Sequence, residues 1–305
     1  MPAMIRSMRY FLFVILFSVL AVGCQTANND SSSSEEMARA HEGDTPAATE
    51  AARTPNVPVD DTTIAYARTK AGPDITGFLA APANPDSVLR SQGHDPSMGA
   101  LPGIVVIHEW WGLNDNVRGA TRRLAAEGYR ALAVDLYGDS TASTPGEAKA
   151  MMQSATDTPE QLMANVRSAH EYLQSEWNAD RVAVMGWCFG GGITFRAVAD
   201  RPTAFDAAVV YYGTPESMTG GVIEELTTPI LAHFGSKDEV VSTAQVDSFR
   251  SRVQAVGADV QIHTYEAGHA FANPSGENYE PAAAAEAWSR TTSFLNARLF
   301  SSTEQ

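Results

Sequence analysis

Arg181-Val-Ala-Val-Met-Gly-Trp-Cys-Phe-Gly-Gly-Gly-Ile-Thr194 is the stretch on which the reading of this chain turns. Arg181 to Met185 is a short Val-rich apolar run bounded by polar residues and Gly, the pattern of a buried strand. Gly186-Trp187-Cys188-Phe189-Gly190 follows, with glycine two places either side of a central cysteine. Gly191 to Ala199 can form a helix. A strand that turns so sharply into a helix leaves its central residue strained, and the flanking glycines remove Cβ atoms that would clash there. This is the spacing of a nucleophile elbow, with Cys in place of the usual Ser. It predicts a sulfur exposed above the sheet at a helix N-terminus, whose partial positive charge favours thiolate. A lone cysteine is more often a small, inert core residue. The strand, the elbow and three consecutive glycines together select the nucleophile reading for Cys188.

Outward from the elbow, apolar runs alternate with helical patterns. Gly103 to His108 reads as a strand covered on both faces. Asp115 to Glu127 reads as a helix and Tyr129 to Val134 as the next strand. Glu147 to Ser154 and Pro159 to Glu176 are helical. Beyond the elbow, Ala207 to Tyr212, Pro229 to Gly235 and Val260 to Tyr265 read as strands. Ser242 to Val256, with Ser242 as N-cap, and Pro281 to Leu299, with Pro281 in the first turn, read as helices. Thr62 to Ala67 and Ile75 to Ala81 form a hairpin-like pair around Ala71-Gly72-Pro73-Asp74, and Asn84 to Ala100 reads as a polar loop. The alternation predicts a mostly parallel sheet with helices on both faces.

The order of polar residues along the chain fits the elbow. Asp238 stands in the loop after Pro229 to Gly235, and His269 in Ala267-Gly268-His269-Ala270-Phe271, after the last strand. Nucleophile, acid, base is the order of the α/β-hydrolase fold. Both residues fall at carboxyl ends of strands, where sites lie in open α/β sheets. Alone, Asp238 reads as a turn or capping residue and His269 as a packed or surface histidine; the joint pattern outweighs these readings. None of His41, His94, His170, His233 and His263 follows the final strand as His269 does, and His41 falls in a polar N-terminal stretch. In Val106-Ile107-His108-Glu109-Trp110-Trp111-Gly112 the loop beside the elbow can donate one backbone N–H to an oxyanion hole, and the residue after the nucleophile the other. Trp110 and Phe189 are therefore the expected main-chain donors. Glu109 beside a thiol would oppose thiolate and keep it protonated until substrate arrives; otherwise it fixes the loop or faces solvent.

Together H-E-W-W-G (108–112), G-W-C-F-G-G (186–191), G-S-K-D (235–238) and G-H-A-F (268–271) resemble the dienelactone hydrolase family, over roughly Pro58 to Leu299. The resemblance implies an α/β-hydrolase fold and hydrolysis of an ester or lactone through an acyl-thioester. It implies a Cys188-His269-Asp238 triad with Glu109 close to the sulfur. It implies no metal and no organic cofactor; the sequence also has no H-E-x-x-H, C-x-x-C or P-loop. Family members that act on the small anionic dienelactone grip its carboxylate with arginines, one of them just beyond the catalytic His. Here Asn273 stands at that place, and Thr144 to Ala155 offers Lys149 and no Arg. Trp110, Trp111, Trp187 and Phe271 are apolar. With Asn273 they suggest a mouth for an uncharged acyl or aryl group, although some of them could be core packing. Arg118, Arg122 and Lys237 are the cations to examine if the substrate is anionic. A thioesterase, a general carboxylesterase and a non-catalytic binding lipoprotein on the same scaffold are the competing readings.

Length and composition fit one such domain with an extension. The chain has 305 residues, 44% of them hydrophobic, and a net charge of −15. That charge argues against nucleic acid and anionic membrane surfaces as partners, and the expected form is a monomer acting on a small molecule. Residues 1–23 read as an export signal, with Arg6 and Arg9 before the apolar run Tyr10 to Val22. Ala21-Val22-Gly23-Cys24 resembles a lipobox, so Cys24 is the expected lipidation site and any membrane attachment would be through that anchor or the signal segment. The expectation is an exported protein, a membrane-anchored lipoprotein or periplasmic. Residues 24–57 read as a disordered tether: from Gln25 to Asp61 there are eight Asp/Glu and two Arg, a net −6, with almost no large apolar side chains. Residues 58–305 form the hydrolase domain.

Overall fold

The computed structural model describes residues 35–41, 43–44, 55, 57–68 and 74–300. The folded domain is one eight-stranded sheet. Two antiparallel strands begin it, β1 (Val59–Ala67) and β2 (Ile75–Pro82). Six mutually parallel strands follow: β3 (Gly103–Ile107), β4 (Arg130–Val134), β5 (Val182–Trp187), β6 (Ala207–Tyr211), β7 (Ile230–Gly235) and β8 (Val260–Tyr265). The order is β1-β2-β4-β3-β5-β6-β7-β8, and β2 joins the parallel set antiparallel to β4. Every residue of β3, β5, β6 and β7 is buried. Continuous Val, Ile and Ala runs are what strands covered on both faces require. The edge strands β1 and β8 instead carry exposed polar residues.

The helices are α1 (Pro85–Ser91), α2 (Asp115–Ala126), α3 (Pro145–Thr156), α4 (Pro159–Ser175), α5 (Phe189–Asp200), α6 (Gly220–Glu225), α7 (Thr243–Val256) and α8 (Pro281–Leu299). On one face α2 and α8 lie together, with the Arg123 guanidinium 3.9 Å over the Trp288 ring. On the other, α4 and α5 pack against each other and against the central strands. This is the α/β-hydrolase arrangement that the alternating pattern predicts. Neighbouring strands run on to opposite sides from β3, to β4 and to β5, so the carboxyl ends of β3 and β5 flank the switch point where open sheets bind ligands.

The structure adds elements that composition hid. Within the expected polar loop, α1 is a helix: Asn84 caps it by accepting from the Ser87 N–H at 3.0 Å, with Pro85 in its first turn. The short α6 starts on two glycines, which mask its helical character. Most important, residues 35–40 are helical and lie against the domain, where an unstructured tether was expected. The segment half-buries Met37 and fully buries His41, enough apolar and aromatic surface to offset part of its ordering cost. Among the described residues no helix is long and apolar enough to cross a membrane. The signal segment, Cys24 and the residues of the expected turn at 71–73 lie outside the described residues.

Candidate active site

The elbow has the geometry its glycines demand. Cys188 has φ 52° and ψ −118°, a left-handed conformation for a residue with a side chain, between the end of β5 and the first residue of α5. A Cβ on Gly190 would lie 2.5 Å from the His108 carbonyl, and one on Gly191 would lie 2.7 Å from that of Tyr211. Both obstacles are backbone, so neither can give way. The Cys188 N–H donates to the Tyr211 carbonyl at 3.0 Å, which ties the strained residue to β6.

Asp238 and His269 meet as the sequence predicts. His269 Nδ1 lies 2.9 Å from Asp238 Oδ2, and both side chains are almost completely buried. The other oxygen, Asp238 Oδ1, accepts from the Val240 and Val241 N–H groups at 2.8 Å each. The carboxylate is thus fixed from two sides and holds the imidazole by Nδ1. His269 Nε2 is buried and has no hydrogen-bond partner among the described residues. A ring nitrogen of His269, the Cys188 sulfur and a ring nitrogen of His41 all lie within 4.8 Å of one another.

The backbone N–H groups of Phe189 and Trp110 point at the Cys188 sulfur and favour its anion, but burial and the nearby Glu109 outweigh them and push the thiol pKa up. The expected exposed, thiolate-favouring sulfur is therefore corrected. Cys188 is 2% exposed, with Met37 and His41 of the N-terminal segment against its sulfur. Desolvation then exceeds what a helix N-terminus offers the anion.

Glu109 is buried beside the sulfur. Its Oε1 accepts from the Tyr212 hydroxyl at 3.1 Å and its Oε2 from the Asn273 amide at 2.8 Å. Burial raises its pKa to about 7, against the opposing pull of His41 and these two donors. Asn273, expected at the substrate mouth, is 5% exposed. Its amide is committed to Glu109, and its carbonyl accepts from Asn116 Nδ2 at 3.0 Å and the Ser275 N–H at 2.9 Å. Asn273 also borders a cavity of about 470 Å³ that runs from Glu109, Trp187 and Tyr212 towards Arg123 and Trp288. Of the expected aromatic lining, Trp187 borders this cavity. Phe271 is fully buried between Tyr212 and Tyr265. Trp110 and Trp111 pack on the His41 ring, and both their indole N–H groups are buried without a partner among the described residues.

His41 is the site residue the sequence reading missed. It is completely buried, its ring 5.5 Å from that of His269. His41 Nδ1 is bonded to the Asp44 carboxylate, and its Nε2 lies 4.0 Å from the Cys188 sulfur. Met37 Sδ is 3.3 Å from the same sulfur. The segment is held by Asn278 Nδ2 donating to the Ala40 carbonyl at 3.2 Å and the Glu277 N–H donating to Asp44 Oδ1 at 2.8 Å. A signal was present: Glu35-Glu36-Met37-Ala38-Arg39-Ala40 is a run of strong helix formers, and it puts Met37 and His41 one turn apart on one face.

Comparison with known proteins places the chain in a family. The model of the dienelactone hydrolase family matches residues 92–299. A Saccharolobus solfataricus protein, provisionally named carboxymethylenebutenolidase, is 30% identical over 263 residues, spanning 73% of this chain and 94% of its own. An Escherichia coli K12 protein with the same provisional name is 29% identical over 235 residues, 71% of this chain and 84% of its own. The fold recurs in a dienelactone hydrolase-like promiscuous phosphotriesterase from metagenomic libraries. That structure has a TM-score of 0.66 at 22% identity and covers 80% of this chain and 99% of its own.

Proposed function

The chain belongs to the dienelactone hydrolase family and is an ester or lactone hydrolase, and from that premise we propose that Cys188 is its nucleophile, His269 its general base and Asp238 the residue that orients the base. The observation that carries this reading is the buried Asp238–His269 pair, whose unpartnered Nε2 faces the elbow sulfur. The thiol proton passes to His269 Nε2 as sulfur attacks the acyl carbon. The carbonyl oxygen becomes an oxyanion that accepts from the Trp110 and Phe189 N–H groups. Collapse breaks the ester C–O bond, and the leaving alkoxide takes the proton from His269. Water then attacks the thioester, gives its proton to His269, and releases the acid as the proton returns to sulfur. Glu109 disfavours a free thiolate at rest, so the anion forms only with a substrate to attack. Residues 35–44 cover the sulfur and must move aside for an acyl group to reach it.

The substrate is a neutral ester or lactone rather than the carboxylate-bearing dienelactone. Among the described residues, the charged ones that border the cavity are Glu109, Glu127 and Arg123, so acids outnumber cations there, and the aromatic walls of Trp187, Tyr211 and Trp288 suit an uncharged group. Export and lipidation at Cys24, with a monomeric enzyme held at a membrane surface, complete the proposal. A screen of p-nitrophenyl esters and lactones, with Cys188→Ala as control, tests the chemistry; activity that survives in that variant defeats it. Mass spectrometry of the mature N-terminus tests the anchor, and a free amine at any residue other than Cys24 excludes it.

A further inference from the structure

Two carboxylate–imidazole pairs converge on one thiol. Asp238 holds His269 by Nδ1, and Asp44 holds His41 by Nδ1. His269 Nε2 is thereby left unpartnered among the described residues, His41 Nε2 has the Cys188 sulfur as its neighbour at 4.0 Å, and one ring nitrogen of each lies with that sulfur in a cluster no wider than 4.8 Å. All three residues are buried, and His269 Nε2 has no partner among the described residues. A histidine whose other nitrogen is held by a carboxylate is the arrangement that fixes metal-binding imidazoles in neutral tautomers. Two imidazoles and one cysteine sulfur form a donor set for zinc or copper. The Met37 thioether, 3.3 Å from the Cys188 sulfur, adds a soft neighbour. Around a tetrahedral zinc the N–S edge is about 3.5 Å. The His41 Nε2–Cys188 Sγ separation is already 4.0 Å, so small side-chain rotations would close the set.

We propose that His41, Cys188 and His269 form a binding site for a thiophilic metal ion of the zinc or copper class, completed only when residues 35–44 are docked. Binding exchanges the Cys188 thiol proton for the ion and releases that proton to solvent. The ion then holds the sulfur and the His269 nitrogen, and it fastens the segment over the site. On the hydrolase reading above, the metal-loaded protein is an inactive, latched form; the binding itself does not depend on that reading.

The test uses the full chain. Zn²⁺ and Cu⁺ are each titrated against a chromophoric chelator, and Co²⁺ is added as a spectroscopic probe of sulfur ligation. Wild type should bind one ion tightly and show a cobalt–thiolate charge-transfer band. Cys188→Ser should lose the band, which excludes Cys24 as its source. His41→Ala should bind at least ~100-fold more weakly, and Asp44→Asn about 10-fold more weakly, the range for loss of a partner that orients a ligand. In ester hydrolysis, His41→Ala should stay active without metal and need ~100-fold more zinc for inhibition. Equal affinity in wild type and His41→Ala, or a cobalt band that persists in Cys188→Ser, overturns the site. Failed metal binding with Cys188-dependent turnover refutes the site and spares the hydrolase reading. Tight His41-dependent binding without any ester turnover does the reverse.

Discussion

Two Asp–His pairs face the same sulfur, and they differ in what holds them. Asp238 and His269 stand at the ends of β7 and β8, parallel neighbours in the sheet. Asp238 is also pinned by two backbone N–H groups. Their geometry is fixed by the core and persists as long as the domain is folded. Asp44 and His41 belong to one short segment, three residues apart, held to the domain by hydrogen bonds from Glu277 and Asn278 and by the packing of His41 on Trp110 and Trp111. The segment supplies no strand to the sheet, so its docking can be lost by a local opening that leaves the sheet folded. The same side-chain chemistry therefore appears once as a fixed part of the folded core and once in a removable cover.

Activity should separate the pairs most sharply. Cys188→Ala and His269→Ala are expected to lower kcat/KM by ~10³-fold or more, because triad members act as a unit. His41→Ala, measured in metal-free buffer, should keep kcat/KM within a few-fold of wild type or raise it, since it loosens the cover. A loss in His41→Ala as deep as that in His269→Ala would erase the distinction.

Stability should separate the two regions next. In Gly190→Ala the new Cβ meets the backbone carbonyls of Ile107 and His108. The elbow cannot yield there, so a loss on the order of 3 kcal/mol or more, or failure to fold, is expected. In Gly43→Ala the new Cβ meets only the Glu277 side chain, which can swing away. Thermal denaturation should show a large fall in Tm for the first variant and almost none for the second.

What the sequence made legible follows the same division. The strands, the elbow, Asp238, His269 and Glu109 could be read because apolar runs and glycine spacings are local signatures of a buried sheet and a strained turn. Asn273 was located, but its commitment to Glu109 could not be read, because its partners Glu109 and Asn116 are 164 and 157 residues away. Tyr212 was read as a strand end; its hydroxyl on Glu109 depends on φ 40° just beyond β6. Residues 35–44 were read as tether because their composition is polar. Two inward side chains, Met37 and His41, are too few to register as a periodic pattern.

Glu109 should reveal itself through pH. Its pKa in the folded chain is raised to about 7 from 4.5 by burial. Between those values the folded state holds a proton that the unfolded state has released. The stability that Glu109 contributes is therefore full below about pH 4.5 and lost as pH rises through about 7, an effect on the order of 3 kcal/mol. Glu109→Gln keeps the site neutral and should flatten this slope in denaturant titrations at pH 4.5, 6 and 8. The same variant should speed alkylation of Cys188 by iodoacetamide at neutral pH and slow turnover. An unchanged slope together with an unchanged alkylation rate would detach Glu109 from the thiol.

The smallest effect is expected at the far end of the cavity, the part of the site furthest from both Asp–His pairs. The cations singled out from the sequence do not border it: Arg122 pairs with Asp61 at 2.7 Å, Arg118 stacks over Phe78, and Lys237 pairs with Glu266 at 3.1 Å. Arg123 does border it, but its guanidinium lies 3.9 Å over the Trp288 ring and beside Glu127. A cation already stacked and partly neutralised has little left to offer a substrate carboxylate, and solvent screens the remainder. Neutral esters should therefore be better substrates than carboxylate-bearing analogues of the same size. Arg123→Met should change the ratio of their kcat/KM values by no more than about threefold, since only a screened charge is removed. A selective loss of tenfold or more on the carboxylated substrate, persisting in high salt, would make Arg123 a carboxylate grip and reverse the assignment of a neutral substrate.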